Sequence, residues 1–345
     1  MNILKSVYYF LPTTNNNTNA KININNKISK IVSSHFFTVN EIKNINKIRQ
    51  INDYKTHYYV FNNTQNLQII QWSDDDDTRR PISRDGNILL QYDAIPIIYL
   101  NSYLKALSSS KIYIFQLIEI YRQLLCSIDL LADNKIVHNN IHFESIIISN
   151  CDKALLTNFG FSIDISKPEL IKQFFIKYQP TYISWPIEFH IVAYLLTNKL
   201  DSLSSFNIET IIDEVVDANY ILKTFGDTYK TDAYTYFNKY VNRSYEFIIT
   251  DILQFYKTWD NYALSIMYLR VFIGIYKSIE LSNQQISKSN KFIILFMKLL
   301  VRNISLHPQK RYSIELTGNA FEDILHSLQP ADYKDVIDNL HLLSS

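Results

Sequence analysis

The sequence predicts an α+β fold, β-rich over about residues 1–92 and helical over 93–345, on three observations. Short apolar runs of strand-forming residues cluster before residue 93, bounded by Asn, Asp, Ser and Pro. From about Ile112 onward, apolar residues recur at three and four, the spacing of a buried helix face. With 345 residues, 47% hydrophobic and 19% charged, the chain can bury a sizeable core in one large domain or two lobes.

Taken in order, the first expected strand is 28–32 (ISKIV), after an Asn-rich tract, 14–27, of loop or irregular-hairpin character. A helix follows at 39–51, where Ile42, Ile45 and Ile48 fall three apart on one face. The runs 56–61 (THYYVF) and 67–72 (LQIIQW) read as strands, and 73–81 (SDDDDTRRP) as an acidic turn. That turn lacks the spaced ligands and glycine of a calcium loop, so solvation is its expected role. A further strand at 87–92 (NILLQY) leads through Asp-Ala-Ile-Pro into a polar connection. The helix from about Ile112 carries Phe115, Leu117, Ile118, Leu124, Leu125, Ile128 and Leu131, and ends at Asp-Asn-Lys. Two short apolar runs, SIIIS and ALLTN, flank Asn-Cys-Asp-Lys; beyond them the pattern is mostly helical, without internal repeats.

Bulk charge excludes several classes. With 34 basic and 33 acidic residues the net charge is +1, which gives no ground for a nucleic-acid or membrane partner. The longest apolar stretches are broken by Lys298 and Arg270, short of a membrane span. No signal peptide is expected at the N-terminus, so the location expected is intracellular. Cys126 and Cys151 sit among apolar neighbours and are expected to be buried free thiols.

Chemistry concentrates in 136–160, IVHNNIHFESIIISNCDKALLTNFG. Its layout resembles the protein kinase catalytic domain, whose signature is H-R-D-L-x-x-x-N followed by D-F-G. His138 stands at the motif's His, Asn139 at its Arg, Asn140 at the catalytic Asp and Ser145 at the metal-binding Asn. Asn158-Phe159-Gly160 stands at Asp-Phe-Gly, 18 residues after Asn140, which matches the family spacing. Further along, WPIEF (185–189) resembles Ala-Pro-Glu with Glu188 as the acid. WDNYALSIMYL (259–269) is similar to the buried helix that carries Asp-x-Trp-Ala-x-Gly, with Asp260 as its Asp. HPQKRYS (307–313) resembles the late Pro-x-x-Arg element, with Arg311 as its Arg. The resemblance implies a two-lobed kinase-like fold, a small β-rich lobe over 1–92 and a larger helical one over 93–345. It also implies that Glu188 pairs with Arg311 and that Asp260 holds the loop backbone.

What the resemblance implies about activity is loss. The family's loop Asp accepts the substrate proton, and its second Asp and loop Asn hold Mg²⁺. Asn140 is no base near neutral pH, and neutral Asn158 and Ser145 make poor partners for a hard cation. His142 replaces the lysine that touches the γ-phosphate and is mostly neutral at pH 7. ATP and Mg²⁺, the family's cofactors, are therefore not expected to be used in the ordinary way, and no metal site is assigned. Glu144 or Asp164 would have to bind the metal in a rearranged site. No glycine precedes Gly86, so a glycine-rich phosphate cover is missing. Lys30, or alternatively Lys21, stands for the strand lysine and Glu41 for its helix partner, against a competing reading of both as solvated. Gln91 and Tyr92 complete the candidate nucleotide edge.

Glu188 and Asp260 are 72 positions apart, so the family pattern carries an inserted segment, about 197–252, of Tyr- and Phe-rich amphipathic helices. Packing on the second lobe is its first reading and a partner surface its second. The elaboration is similar to kinase-like proteins of large DNA viruses, which implies host cytoplasm or virion as the location. The expected function is that of a pseudokinase acting on another protein by binding or scaffolding. A weak or unconventional ATP-dependent serine/threonine kinase is the alternative.

Overall fold

Residues 27–72, 81–107, 110–175, 177–281 and 291–334 are described by the computed structural model. Lys21, the tract 14–27 apart from Lys27, and the acidic run 74–78 lie outside them. The architecture is α+β, with small antiparallel sheets and a majority of helix.

Strand β1 (Lys27–Ser33) pairs with β3 (Pro81–Asp93), which pairs in turn with β2 (Asn63–Trp72), so the spatial order is β1-β3-β2. The register sets Lys30 opposite Leu90, Ser29 opposite Gln91 and Ile28 opposite Tyr92. Helix α1 (Phe36–Ile48) starts where the His35 ring accepts from the Thr38 N–H at 3.2 Å. The Thr38 hydroxyl donates to the Ser33 carbonyl at 2.9 Å, tying helix to strand. Ile45 and Ile48 are buried and Ile42 packs beside them, so the threefold spacing marks the inner face. Lys47 lies in the last turn, where a cation complements the helix dipole.

The run 56–61 forms no strand. After a short 3₁₀ turn (Tyr54–Thr56) the chain makes one parallel bridge, Tyr58 to Leu156. Tyr58, Val60 and Phe61 are buried by packing rather than by a ladder. Tyr58 donates its hydroxyl to the Ser127 carbonyl at 2.7 Å. Strand β2 begins four residues earlier than expected, and β3 six residues earlier.

Strand β4 (Ile97–Tyr99) and helix α2 (Leu100–Ala106) precede the long helix α3 (Ser110–Asp133). A second sheet orders β4 with β6 (Ile146–Ser149) and β7 (Ala154–Leu156). A two-stranded one joins β5 (Ile136–Val137) to β8 (Ile163–Asp164). These short strands bracket the loop 138–145 and the Asn-Phe-Gly turn. Both cysteines are exposed, contrary to expectation. Cys126 faces outward from α3, since its apolar neighbours in sequence lie around the helix from it, and Cys151 sits in the β6–β7 turn.

Helix α4 (Ile187–Thr197) follows an N-capping Pro186. The segment expected as an insertion, 197–252, folds as α5 (Ser205–Ala218), α6 (Tyr220–Lys223), α7 (Gly226–Phe237) and α8 (Tyr245–Leu253). Asn219 makes the first break, its side chain accepting from the Ile221 and Leu222 N–H groups. Ile211, Ile212, Leu222, Ala233, Phe237 and Ile248 are fully buried, so the segment belongs to the core rather than hanging from it. Helix α9 (Trp259–Leu281) is buried at every position from Trp259 to Leu269. An apolar surface all round is what a central helix needs. Its polar members bond in pairs: Asn261 donates to Thr317 at 2.8 Å, and Asn303 donates to Ser265 at 3.1 Å. Helices α10 (Lys291–Asn303) and α11 (Ile314–His326) complete the fold. Among the described residues, no helix is long and apolar enough to cross a membrane.

Candidate functional site

The loop 138–145 hangs from the central helix. Asp260, in the first turn of α9, accepts from the backbone N–H of His138 at 2.6 Å and of Asn139 at 2.8 Å. The buried His138 ring is used on both sides. Its Nε2 donates to the Thr157 carbonyl at 2.9 Å, and its Nδ1 accepts from the Asn140 N–H at 3.3 Å. That pattern requires the neutral imidazole. Phe159 is fully buried and meets the ring edge-on, centroids 4.9 Å apart. Asn139 (φ 58°) and Asn158 (φ 66°) adopt the left-handed conformation that Asn tolerates better than most residues.

Farther along, Glu188 on α4 and Arg311 form a bidentate pair at 2.5 and 3.1 Å, both side chains almost wholly buried. Arg311 Nε donates to the Ser305 carbonyl at 2.7 Å, and its guanidinium lies 5.0 Å from the centre of the Tyr262 ring.

The four positions at which the resemblance expects other residues, Asn140, His142, Ser145 and Asn158, all have partners within the protein. Asn140 Oδ1 accepts a very short hydrogen bond from the Tyr182 hydroxyl. His142 Nδ1 accepts from the Glu144 N–H at 3.1 Å, capping the 3₁₀ turn Phe143–Ser145. The buried Ser145 hydroxyl donates to the His142 carbonyl at 2.9 Å and receives the His142 N–H at 3.0 Å. Asn158 Nδ2 donates to the Glu144 carbonyl at 3.2 Å. A carboxylate could not make that last bond, because it has only acceptors. Asn158→Asp is therefore expected to lower stability by about 1 kcal/mol at neutral pH, by setting an anion against a carbonyl. Urea unfolding of the variant checks this, and the deficit should shrink as acid protonates the new carboxyl.

A strap closes the loop from the other side. Tyr182 bonds Asn140, Ser184 Oγ donates to the Ile141 carbonyl at 3.2 Å, and Trp185 Nε1 donates to the Asn139 carbonyl at 3.0 Å. Three bonds from four consecutive residues fix the strap to the loop. Sequence reasoning missed Tyr182, since a lone aromatic between Thr and Ile carries no local signal.

Helix α1 grips the far side of the Asn-Phe-Gly turn. Asn40 donates to the Gly160 and Ser162 carbonyls, both at 2.9 Å, and Asn44 donates to the Ser162 carbonyl at 3.0 Å. Lys47 pairs with Asp164 at 2.8 Å. Positions 40, 44 and 47 fall on one helix face, a polar stripe visible in the sequence but not interpreted there. A Cβ on Gly160 would meet the Phe37 carbonyl at 3.4 Å, so glycine lets helix and turn approach closely. Asp164 is thus committed to Lys47 and to the Ser166 hydroxyl at 2.6 Å, which removes it as a rescue metal ligand. Glu144 is exposed and faces Tyr99.

Lys30 lies close enough to Glu41 to act on its charge, and Glu41 accepts from the Phe159 N–H. Burial nevertheless raises the Glu41 carboxyl, with Lys30 and the N–H opposing. Tyr92, raised by burial and then by Glu41, stacks on Tyr59 with centroids 5.3 Å apart. Gln91 turns to the other neighbour, accepting from Asn63 Nδ2 at 3.1 Å. The structure therefore brings Lys30, Glu41, Tyr92 and the Asn-Phe-Gly turn together, whereas Gln91, on the central strand of its sheet, spends its side chain on Asn63 of β2.

Magnesium does not fit this donor set. The Asn158 amide presents its N–H₂ to a carbonyl, the Ser145 hydroxyl is spent on its own loop, and the nearby Asp164 is salt-bridged. A hard cation prefers anionic oxygens. Among the described residues no group of three or more His, Cys, Asp or Glu could hold a metal ion.

Titration adds a signature. Burial lowers His138 and His190 to about 4, and burial with the Arg270 charge does the same to His142. The unfolded chain then takes up these protons first, so stability is lost as pH falls from 6.5 towards 4. Burial raises Asp260 to about 6 against its two N–H donors, which acts the opposite way over 3.8–6. The two fully buried histidines, His138 and His190, are each worth about 3 kcal/mol, and with the lowered His142, His57 and His307 they outweigh the raised Asp260 and Glu41 carboxyls. Denaturant midpoints are expected to drop steeply between about pH 6.5 and pH 4.5, a drop that circular dichroism at several pH values would measure. No family model and no curated protein sequence matches this chain.

Proposed function

We propose that the chain is a two-lobed protein kinase-like protein that has exchanged phosphoryl-transfer chemistry for a binding or scaffolding role, its partner another protein. Supporting the fold are the sheet next to α1, the loop suspended from Asp260 and the buried Glu188–Arg311 pair. The inactivity rests on one observation: Asn140, His142, Ser145 and Asn158 are each satisfied by uncharged groups of the protein itself. A proton acceptor is missing at 140, and lack of a general base typically slows transfer by about 10²–10⁴-fold.

The binding half draws on the inserted segment. Phe206 (72% exposed), Tyr220, Phe225 and Phe247 (47%) all fall within 197–252. Outside it, Phe115 is the other large aromatic this exposed among the described residues. Exposed aromatics are enriched in protein interfaces.

Incubation with γ-labelled ATP, Mg²⁺ and generic protein substrates is expected to give no transfer above a heat-denatured control. Transfer lost on Glu144→Ala would instead favour an unconventional kinase. Affinity capture with the full chain tests the binding role. A partner retained by wild type and lost on Phe206→Ser/Phe247→Ser is the expected result, and a partner retained by both would move the surface elsewhere.

A further inference from the structure

A groove of about 420 Å³ lies between the N-terminal part of α7 and the end of α10, away from the loop 138–145, and shares Phe225 with the exposed aromatics of the proposed partner surface. Three cations line it: Lys298 and Arg302, one turn apart on α10, and Lys310 in the turn beyond Pro308. None of the three makes an ion pair among the described residues, whereas Lys230 on α7 pairs with Asp213 and Asp217, and Arg311, next to Lys310, pairs with Glu188. All three are exposed. Arg302 is held instead by the face of Tyr312, 5.3 Å from ring centre, which leaves its guanidinium donors open.

The other wall is apolar and aromatic. Phe225 and Tyr229 stack with centroids 5.7 Å apart at 26°, and Leu306 is buried beneath. His307 also lines the groove, and its Nδ1 is buried without a hydrogen-bond partner among the described residues. A single carboxylate, Asp232, faces these groups. Three permanent cations against one anion, beside stacked rings, form a small amphipathic anion receptor. An Arg with flanking lysines recognises phosphate by charge-assisted bonds, and a ring wall favours an aryl group on that phosphate.

We infer that this groove captures a phosphorylated tyrosine side chain of a partner protein. The phosphate meets Lys298, Arg302 and Lys310, and the ring lies against Phe225 and Tyr229. A membrane headgroup fits less well, because the cations sit in a concave groove on a chain whose net charge is only +1. Nucleic acid would need a longer basic track.

The test is a titration of the full chain with four probes. These are a degenerate peptide with a central phosphotyrosine, the same peptide unphosphorylated, phenyl phosphate and inorganic phosphate. The phosphopeptide is expected to bind at least about tenfold tighter than the plain peptide, and phenyl phosphate to compete better than inorganic phosphate. Arg302→Gln/Lys310→Gln, at two exposed positions, should melt like wild type and lose that preference. Equal binding of the two peptides, no binding of phosphopeptide or phenyl phosphate, or full binding by the double variant overturns the inference. So does competition by inorganic phosphate as strong as by phenyl phosphate, which would mark a plain anion site. Anionic phosphatidylserine vesicles bound in place of the phosphopeptide, and released by the double variant, would assign the groove to a membrane surface.

Discussion

Replacing Glu188 with alanine is expected to destabilise the protein by about 3–5 kcal/mol, the usual effect of leaving one member of a buried ion pair uncompensated. The geometry is unforgiving. Arg311 donates two bonds to Glu188 and one to the Ser305 carbonyl, and it is enclosed beside Tyr262 with almost no exposed side-chain surface. Removing the carboxylate leaves a guanidinium in a low-dielectric site with one carbonyl to answer it. Arg311→Ala should be comparably harmful for the mirrored reason. Apolar replacement of both members, Glu188→Leu/Arg311→Met, is expected to recover much of the loss, since a buried pair is weak evidence of net stabilisation. Equilibrium unfolding in guanidinium chloride of the two single variants and the double variant measures the coupling. Additive single effects would show that the pair does not act as a unit.

The second large effect is expected at Asp260. Asp260→Ala removes the acceptor from two buried backbone donors, His138 N–H and Asn139 N–H, and each orphaned donor costs about 1–3 kcal/mol. Asp260→Asn retains one oxygen and should be milder, its amide N–H₂ opposing one of the two backbone donors. The effect reaches beyond stability. The loop 138–145 is suspended from this carboxylate, so amide exchange at His138 and Asn139 is expected to speed up in the alanine variant more than exchange in α3 or α11. Uniform acceleration throughout would point to global destabilisation alone.

How much of this was legible in the sequence depends on the kind of contact. His138, Glu188, Asp260 and Arg311 are buried polar or charged residues, each with a required partner, and such residues stand out in apolar surroundings at ordered positions. The contacts that close the site are neutral and distant in sequence. Asn40 reaches Gly160 across 120 positions, and Tyr182 reaches Asn140 across 42. No local pattern marks an amide that will bond a remote carbonyl. The run 56–61 misled because β-branched and aromatic residues report burial on a packed surface as well as pairing in a ladder. Cys126 misled because neighbours in a helical sequence point in different directions. Asp164 read as a free carboxylate until Lys47 was seen beside it, and that contact depends on α1 docking against the turn.

The segment 197–252 was legible as helical, aromatic and packed on the helical part of the chain, but not for how many fully buried residues it gives the core. Amphipathic spacing marks a face to be buried without saying what buries it. Here α5 packs between α4 and α7, and its capping box at Ser204 and Asn207 starts it cleanly. Removing 197–252 would therefore expose a core face, so point substitutions at exposed aromatics probe a partner surface more cleanly than deletion.

The most direct test is the melting temperature with ATP, measured with and without Mg²⁺. If, as proposed, Asn158 and Ser145 stand where a kinase holds its metal, a site filled by these neutral hydrogen bonds should show a metal-dependent change of no more than about 1 °C. A rise of several degrees that needs Mg²⁺ and disappears with chelator would contradict the account, because it would mean that these residues still hold a divalent cation.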